Sequence, residues 1–264
     1  MRGGKLIDSA HGLMYRRCCN KGNIEMEVDV IEQLIKLEND IRYQEYASNS
    51  EPEYLHIFGT LPIMISAPHG AVQTRNGEKK EEDEYTAGVA MLVGSRTGAH
   101  VIYARRKSRT DPNAAFAAPY KKSLHQIVQE NKINFVLDLH GANEDRDFGV
   151  AIGTMHGKSC SEREKQIIIG VLENHNISKA GSGISRLDID NKMPAEGDKD
   201  REPITRFCHD NSISAAQLEI NAKLRIPIRR NDATHHDIPF LSDHRSILNF
   251  IDALSEVVNS LAVR

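Results

Sequence analysis

The sequence has few of the features that mark membrane, secreted or nucleic-acid-binding proteins. No stretch approaches the ~20 consecutive apolar residues that a membrane-spanning helix needs. The N-terminal segment, Met1 to Cys19, lacks the continuous apolar stretch of a secretory signal. The 264 residues carry a formal net charge of -3, so no basic excess favours a nucleic acid as partner. We therefore expect a cytoplasmic protein that binds neither membranes nor nucleic acids.

Cysteines are few, and glycine-rich phosphate loops are missing. The four cysteines, Cys18, Cys19, Cys160 and Cys208, form no CxxC pair, so we expect free thiols rather than disulfides or a cysteine zinc site. Neither G-x-G-x-x-G nor G-x-x-x-x-G-K occurs, which disfavours a nucleotide-binding protein of the Rossmann type. The composition, 39% hydrophobic and 27% charged, is ordinary for a soluble globular protein.

The hydrophobic pattern alternates between short apolar runs and helical periodicity. Apolar runs predict strands at 61–67, 100–104, 133–139, 150–153 and 214–220. Helical spacing of apolar residues predicts helices within 27–38, 85–93, 124–128, 162–172 and 247–261. This alternation predicts one α/β domain over residues 26–264, with a mostly parallel mixed sheet and helices on both faces. Residues 1–25 show little periodicity and predict a poorly ordered extension, while 178–212 predicts a long irregular region.

Two of the predicted strands end in His-Gly, at His69-Gly70 and His140-Gly141. In open α/β sheets, ligands bind beyond the carboxyl ends of the strands. Either histidine alone could be structural, but two at the same edge, with acids nearby, indicate a shared metal. A catalytic zinc usually takes three protein ligands and leaves one position for water. The acidic run at 81–84 lies between the histidines in sequence, and any one of its members turned inward could be the third ligand.

Two carboxylates lie inside otherwise apolar strands, where an unpaired charge is costly. Asp138 precedes His140 by two residues, so both side chains lie on the same face of the strand. In that position Asp138 could accept a hydrogen bond from the imidazole of His140 when it binds a metal. Glu219 is either a general base or the partner of an arginine in a salt bridge. Gln217 shares the face of Glu219.

Taken together, these residues resemble the N-formylglutamate amidohydrolase family. The matching stretches, in the family's order, are LPIMISAPHGA at 61–71, the acidic segment leading to Gly98-Ala99, DPN at 111–113, FVLDLHGA at 135–142, PITRF at 203–207 and AAQLEIN at 215–221. The segment DLHG is also similar to that of aspartoacylases and succinylglutamate desuccinylases. This wider group has the zinc-carboxypeptidase-like α/β fold, which the resemblance implies here as well.

The resemblance implies specific roles for residues in these stretches. His69, His140 and Glu84 would bind zinc, although the family more often has aspartate at the acidic position and Asp83 is adjacent. Glu219 would be the catalytic glutamate and Arg206 would hold a substrate carboxylate through its planar guanidinium.

Two further side chains are expected beside the substrate, Asn113 and Gln217. The chain departs from the family at Ala114, where family members usually have arginine, and in the 178–212 region, which is hard to align. Both departures fall near the acyl or side-chain end of a substrate.

The predicted function is therefore zinc-dependent hydrolysis of an amide bond in an N-acyl amino acid or a related small carboxylate. One alternative is a carboxypeptidase or a deacylase with a larger substrate on the same fold, which a roomy site would favour. A second alternative is a binding protein that keeps the fold without catalysis, and the joint presence of His69, Glu84, His140 and Glu219 argues against it.

Overall fold

The computed structural model describes residues 29–48 and 51–263. Its eleven strands are β1 (Arg42–Tyr46), β2 (Tyr54–Ile57), β3 (Ile63–Ala67), β4 (Gln73–Arg75), β5 (Glu78–Lys80), β6 (His100–Ala104), β7 (Arg106–Lys107), β8 (Phe135–Ala142), β9 (Val150–Gly153), β10 (Leu187–Ile189) and β11 (Ser214–Asn221). Its α-helices are α1 (29–38), α2 (Thr86–Thr97), α3 (Pro119–Asn131), α4 (Glu162–Asn174), α5 (Ile204–Asp210) and α6 (His244–Ala262). Two short 3₁₀ helices span Gly183–Ser185 and Ala222–Leu224.

Seven of these strands form the central sheet, in the spatial order β10-β9-β11-β8-β3-β6-β2. Four adjacent strands, β11, β8, β3 and β6, are parallel to one another, whereas β9 pairs antiparallel with β11 and β2 pairs antiparallel with β6. The inner strands are apolar on both faces, as expected for parallel strands covered by helices on each side. The predicted mostly parallel mixed sheet is confirmed.

Helices cover both faces of the sheet, and each face has its own hydrophobic core. Helices α1, α2, α4 and α6 pack on one face, where the apolar sides of α2 and α6 meet. Helices α3 and α5 pack on the other face against Met64, Val136 and Ala215. The result is a single α/β domain with its parallel strands buried between two helical layers.

Local sequence signals explain how several of these helices begin and end. Helix α4 begins with a capping box, in which Ser161 and Glu164 are each bonded to the backbone of the other. Gly98, in a left-handed conformation at φ 84°, ends α2 as its position in the sequence predicts. Cys160 and Cys208 are buried free thiols, as expected, while Cys18 and Cys19 lie outside the described residues.

Other expectations are revised or fall outside this part of the chain. The region 178–212 contains the edge strand β10 and the short helix α5 rather than only irregular chain. The predicted extension at 1–25 lies outside the described residues. Among the helices of the described ranges, none has the length and apolar character needed to cross a membrane.

Candidate active site

The two histidines predicted from the His-Gly pairs meet at the carboxyl edge of the sheet. His69 lies two residues beyond the end of β3, and His140 lies near the end of β8, which continues to Ala142 rather than stopping at residue 139. Because β3 and β8 are parallel neighbours with Ser66 opposite Asp138, both imidazoles lie at the same edge. Their Nδ1 atoms are 3.2 Å apart, and both side chains are buried.

Asp83 completes a triangle of ligand atoms with these histidines. Its Oδ2 lies 3.3 Å from His69 Nδ1 and 3.3 Å from His140 Nδ1. Ligand atoms that surround a tetrahedral zinc at its usual bond lengths are separated by roughly 3.3–3.5 Å. The three separations are therefore close to the edges of one face of such a site. Among the described residues, this is the group of histidine, cysteine and acidic side chains with the geometry to hold a metal ion.

The outer nitrogen of each imidazole faces a second carboxylate. His140 Nε2 lies 2.8 Å from Asp138 Oδ2, and His69 Nε2 lies 2.9 Å from Asp111 Oδ1. Because a carboxylate accepts the Nε2 proton, the Nδ1 atom of each ring points into the triangle, where it offers a lone pair to a metal ion when the ring is neutral. The arrangement around Asp138 agrees with the expectation from the sequence. The role of Asp111 was missed, although it belongs to the DPN segment and is buried, with its other oxygen bonded to Arg75.

The pKa values at the cluster show how strongly these groups interact. Burial alone would raise the pKa of Asp83, but hydrogen bonds and charges from His140 and His69 lower it well below its usual range. Burial would lower the pKa of His140, but Asp138 raises it well above its usual value. The pKa of His69 is likewise raised, against burial, chiefly by Asp111. The cluster thus stabilises positive charge at its centre, which suits a cation.

The acidic loop is fixed so that Asp83, and not Glu84, faces the histidines. Asp83 N donates to the carbonyl of His69 at 2.8 Å, while Asp83 O accepts from Thr86 Oγ1 at 2.7 Å. Glu84 turns the other way, and its Oε1 lies 2.7 Å from Arg229 Nη1. The choice of Glu84 as the acidic member of the cluster is therefore wrong, because its carboxylate is committed to Arg229. Asp83 takes its place.

A buried glutamate from another element anchors the end of this loop. The carboxylate of Glu38 accepts hydrogen bonds from Tyr85 N at 2.8 Å and Gly88 N at 2.7 Å. These are free amides at the start of α2, where Tyr85 has a left-handed φ of 64°. A negative charge at a helix N-terminus is favourable. Glu38 therefore caps α2 across the fold and holds the residues that follow Asp83.

Glu219 lies beside the cluster on the neighbouring strand. It is opposite His140 in the register of β11 and β8, and it lines the same cleft as His69, Asp83 and His140. Its Oε1 accepts a hydrogen bond from Gln217 Nε2 at 2.9 Å. No arginine among the described residues pairs with it, which disfavours the salt-bridge interpretation. Burial raises the pKa of the Glu219 carboxyl, against the opposing charge of His140.

The cleft around these residues has a volume of about 450 Å³ and a charged lining. Asn113 and Gln217 line it, as expected, although Asn113 Oδ1 already accepts from Ile204 N at 2.7 Å. Arg206 does not line it; this side chain points along α5 and lies 2.8 Å from Asp210. The structure therefore places Arg206 outside the lining of the cleft, beside which it was expected to hold a substrate carboxylate. The basic residues of the lining are Arg75, Lys80, Arg146, Lys192 and Arg201.

Comparison with known proteins supports the α/β fold but does not establish a function. No family model matches the sequence. No characterised protein matches it as a relative. Among solved structures, the N-formylglutamate amidohydrolase from Ralstonia eutropha JMP134 is similar, with 12% identity, coverage of 80% of this chain and 97% of that chain, and a TM-score of 0.50. A bacteriophage poly-gamma-glutamate hydrolase shares 13% identity over 80% of this chain and 90% of that chain, with a TM-score of 0.43. A metallo-carboxypeptidase from Pseudomonas aeruginosa shares 14% identity over 90% of this chain and 68% of that chain, with a TM-score of 0.42. At such identities, the likeness to the amidohydrolase indicates a shared α/β fold, so a function has to be argued from the residues of the site.

Proposed function

We propose that this protein is a zinc-dependent amidohydrolase whose substrate carries a carboxylate. The observation that carries the proposal is the triangle formed by His69, Asp83 and His140, with Glu219 in the same cleft. Zinc fits this donor set because it accepts imidazole nitrogen and carboxylate oxygen and commonly takes three protein ligands at catalytic sites. The outer carboxylates Asp111 and Asp138 hold both rings in the orientation that binding requires.

The remaining chemistry falls to side chains of this chain. Zinc bound at the triangle would supply Lewis-acid activation of a water and of the amide carbonyl. Glu219 would take the proton from the attacking water and pass it to the leaving amine, since its carboxylate opens onto the cleft beside the cluster. Gln217 holds that carboxylate in place through its hydrogen bond. The raised pKa of Glu219 makes it a stronger base than a solvated glutamate.

The first test is whether the triangle binds metal. We expect the purified protein to bind one equivalent of Zn²⁺ after dialysis, measured by elemental analysis, and to hydrolyse at least one N-acyl amino acid in a screen of such compounds. His140→Ala removes one of the three ligand atoms and should lose the metal. Full zinc retention by His140→Ala, with the fold intact by circular dichroism, would reject the site.

The basic residues of the cleft replace Arg206 as partners of a substrate carboxylate. Arg201 and Arg146 line the cleft, and neither forms a salt bridge with another described side chain. Both guanidiniums are thus available for bidentate binding of a carboxylate. Arg206, by contrast, is already paired with Asp210.

A comparison of three arginine variants tests this assignment. Arg201→Met or Arg146→Met should raise the KM for a carboxylate substrate by about 10-fold or more, the order expected from losing one charged hydrogen bond, and should change the KM for the corresponding amide far less. Arg206→Met is the matched control and should leave both KM values unchanged. An effect confined to Arg206→Met would restore the original assignment.

A specific feature of the cleft favours a larger acyl group as a second candidate substrate. A second cavity of about 510 Å³ adjoins the cleft and shares Arg75 and Arg201 with it. Its lining includes Ala114, the position where the resemblance leads one to expect arginine. The small side chain leaves room that a formyl group does not need. In the substrate screen, a preference for long acyl groups over formyl would favour a deacylase with a larger substrate.

A further inference from the structure

Arg225 is a buried arginine that none of the roles above uses. It follows β11 and the 3₁₀ helix Ala222–Leu224, and its relative exposure is 4%. Its guanidinium donates to three backbone carbonyls: Nε to Ile220 O at 3.2 Å, Nη2 to Ala142 O at 3.2 Å, and Nη1 to Glu84 O. Among the described residues no carboxylate forms a salt bridge with it. Its planar set of donors therefore serves to connect backbone segments.

Each of these carbonyls is adjacent, or nearly so, to a residue of the proposed site. Glu84 follows Asp83 on the acidic loop, and Ile220 follows Glu219 on β11. Ala142 lies two residues after His140, at the end of β8. One side chain thus joins the three segments that carry the acidic ligand, one histidine ligand and the proposed base. The chain positions of these segments are otherwise far apart.

Gly141 allows the guanidinium to lie directly against β8. A Cβ atom at this position would be 2.5 Å from Arg225 Nη2, 2.8 Å from Arg225 Cζ and 2.9 Å from Asp83 Cβ. Such separations are too short for carbon, so even alanine would force Arg225 or Asp83 to move. The glycine that follows His140 is therefore required by packing, because the side chain of Arg225 occupies the space in front of it.

We infer that Arg225 is a positioning residue that holds the Asp83 loop in place relative to β8 and β11, which carry His140 and Glu219 as paired neighbours, with Gly141 providing the space for its guanidinium. The inference rests on the proposed metal site. Removing Arg225 leaves the carbonyls of Glu84, Ala142 and Ile220 without these donors in a buried environment. The acidic loop then keeps its bond to His69 but loses its link to β8 and β11 through Arg225, which changes the ligand triangle without removing any ligand.

The experiment measures the dissociation constant for Zn²⁺ by competition with a chelator, and the visible absorption spectrum of the Co²⁺-loaded protein, in the full chain. The variants are Arg225→Met, Arg225→Lys, Gly141→Ala and the double variant Gly141→Ala/Arg225→Met. Arg105→Met is the control, because it removes an arginine that pairs with Asp40 through two hydrogen bonds and has no contact with the cluster. Thermal unfolding of each protein without added metal reports general loss of stability.

We expect Arg225→Met and Gly141→Ala each to weaken Zn²⁺ binding by about 10- to 100-fold, the range for residues that orient metal ligands, and to shift the Co²⁺ spectrum. Arg225→Lys should behave like Arg225→Met, since one ammonium cannot span three carbonyls as the planar fork does. In the Arg225→Met background, Gly141→Ala should lose the part of its effect that comes from the guanidinium. It should keep the part that comes from Asp83, whose Cβ would still be 2.9 Å from the new Cβ, so the two effects should be less than additive. Arg105→Met should bind Zn²⁺ as the unmodified protein does.

Other outcomes overturn the inference in distinguishable ways. If Arg225→Met and Gly141→Ala bind Zn²⁺ as tightly as the unmodified protein and give the same Co²⁺ spectrum, the positioning role is rejected and the proposed function is unaffected. If Arg105→Met weakens Zn²⁺ binding to the same extent, the effect is one of general stability, and the positioning role is again rejected. An unmodified protein that binds no Zn²⁺ rejects the proposed function and this inference together. Where Arg225→Met fails to fold, Arg225→Lys, which keeps a positive charge at this position and does not crowd Asp83, decides.

Discussion

Replacing Asp83 by asparagine should raise the dissociation constant for Zn²⁺ by more than the ~100-fold upper range seen for residues outside the ligand shell. Asparagine keeps the shape of the side chain but removes its negative charge, and its amide nitrogen has no lone pair available to bind a metal ion. Asp83 Oδ2 is the atom of the acidic run that lies 3.3 Å from both inward-facing imidazole nitrogens. Isothermal titration or chelator competition measures the change, and hydrolytic activity should fall in parallel.

The neighbouring residue provides the matched control. Glu84→Gln makes the same chemical change one position along the chain, and it should leave Zn²⁺ affinity within a few-fold of the unmodified value. Its cost should appear instead in the free energy of unfolding, because Arg229 loses one of its two buried or half-buried carboxylate partners. The opposite result, with zinc lost in Glu84→Gln and kept in Asp83→Asn, would reinstate Glu84 as the ligand.

The sequence pointed to Glu84 as the acidic ligand, whereas the structure places Asp83 beside the histidines, and this difference shows what local sequence information lacks. The pattern placed an acidic run between two strand-end histidines, and that much was enough to expect one acid at the site. Which acid turns inward depends on Arg229, which is 145 residues away from Glu84 in sequence. It depends also on the bond between Asp83 N and His69 O. Neither contact can be predicted from the spacing of residues 81–84.

The strands were easier to predict than the side chains that surround the site. Apolar runs identified β3, β6, β8, β9 and β11, because strands that are buried between two helical layers are mostly apolar on both faces. Strands β1, β2, β4, β5, β7 and β10 were missed; most are short, and several lie outside the central sheet. Glu219 was found because a lone carboxylate inside an apolar strand needs an explanation.

The position of Arg206 likewise could not be predicted from the sequence. The PITRF match aligned its position with a substrate-binding arginine, but α5 turns Thr205 and Cys208 inward and leaves Arg206 beside Asp210. Asp111 was missed although the DPN segment was recognised. The aspartate of this segment is a candidate partner for one of the two histidines, as Asp138 is, and the structure pairs it with His69.

Replacing Glu219 by glutamine should lower kcat by at least the ~10²-fold typical of losing a positioned acid–base group. The variant keeps the hydrogen-bonding shape toward Gln217 but cannot take a proton. It should retain zinc, because Glu219 is not part of the ligand triangle. Metal content, kcat and KM measured on the substrate found in the screen separate these effects, and KM should change little.

The same variant has a distinct dependence on pH and on stability. Glu219 acts as a base only when it is ionised. The activity of the unmodified protein should therefore rise as pH increases through the raised pKa of Glu219, and Glu219→Gln should lose this rise.

The raised pKa of Glu219 also bears on stability, because a carboxyl whose folded-state pKa is raised above its unfolded-state value favours the folded state at low pH. That contribution is lost as pH rises through the folded pKa, so the ionised group disfavours folding at neutral pH. Glu219→Gln should therefore unfold at the same or a higher temperature near pH 7 while being nearly inactive. A zinc-loaded Glu219→Gln protein with near-normal kcat would remove Glu219 from the mechanism, and a lowered unfolding temperature at neutral pH would show that its charge is stabilised by a partner.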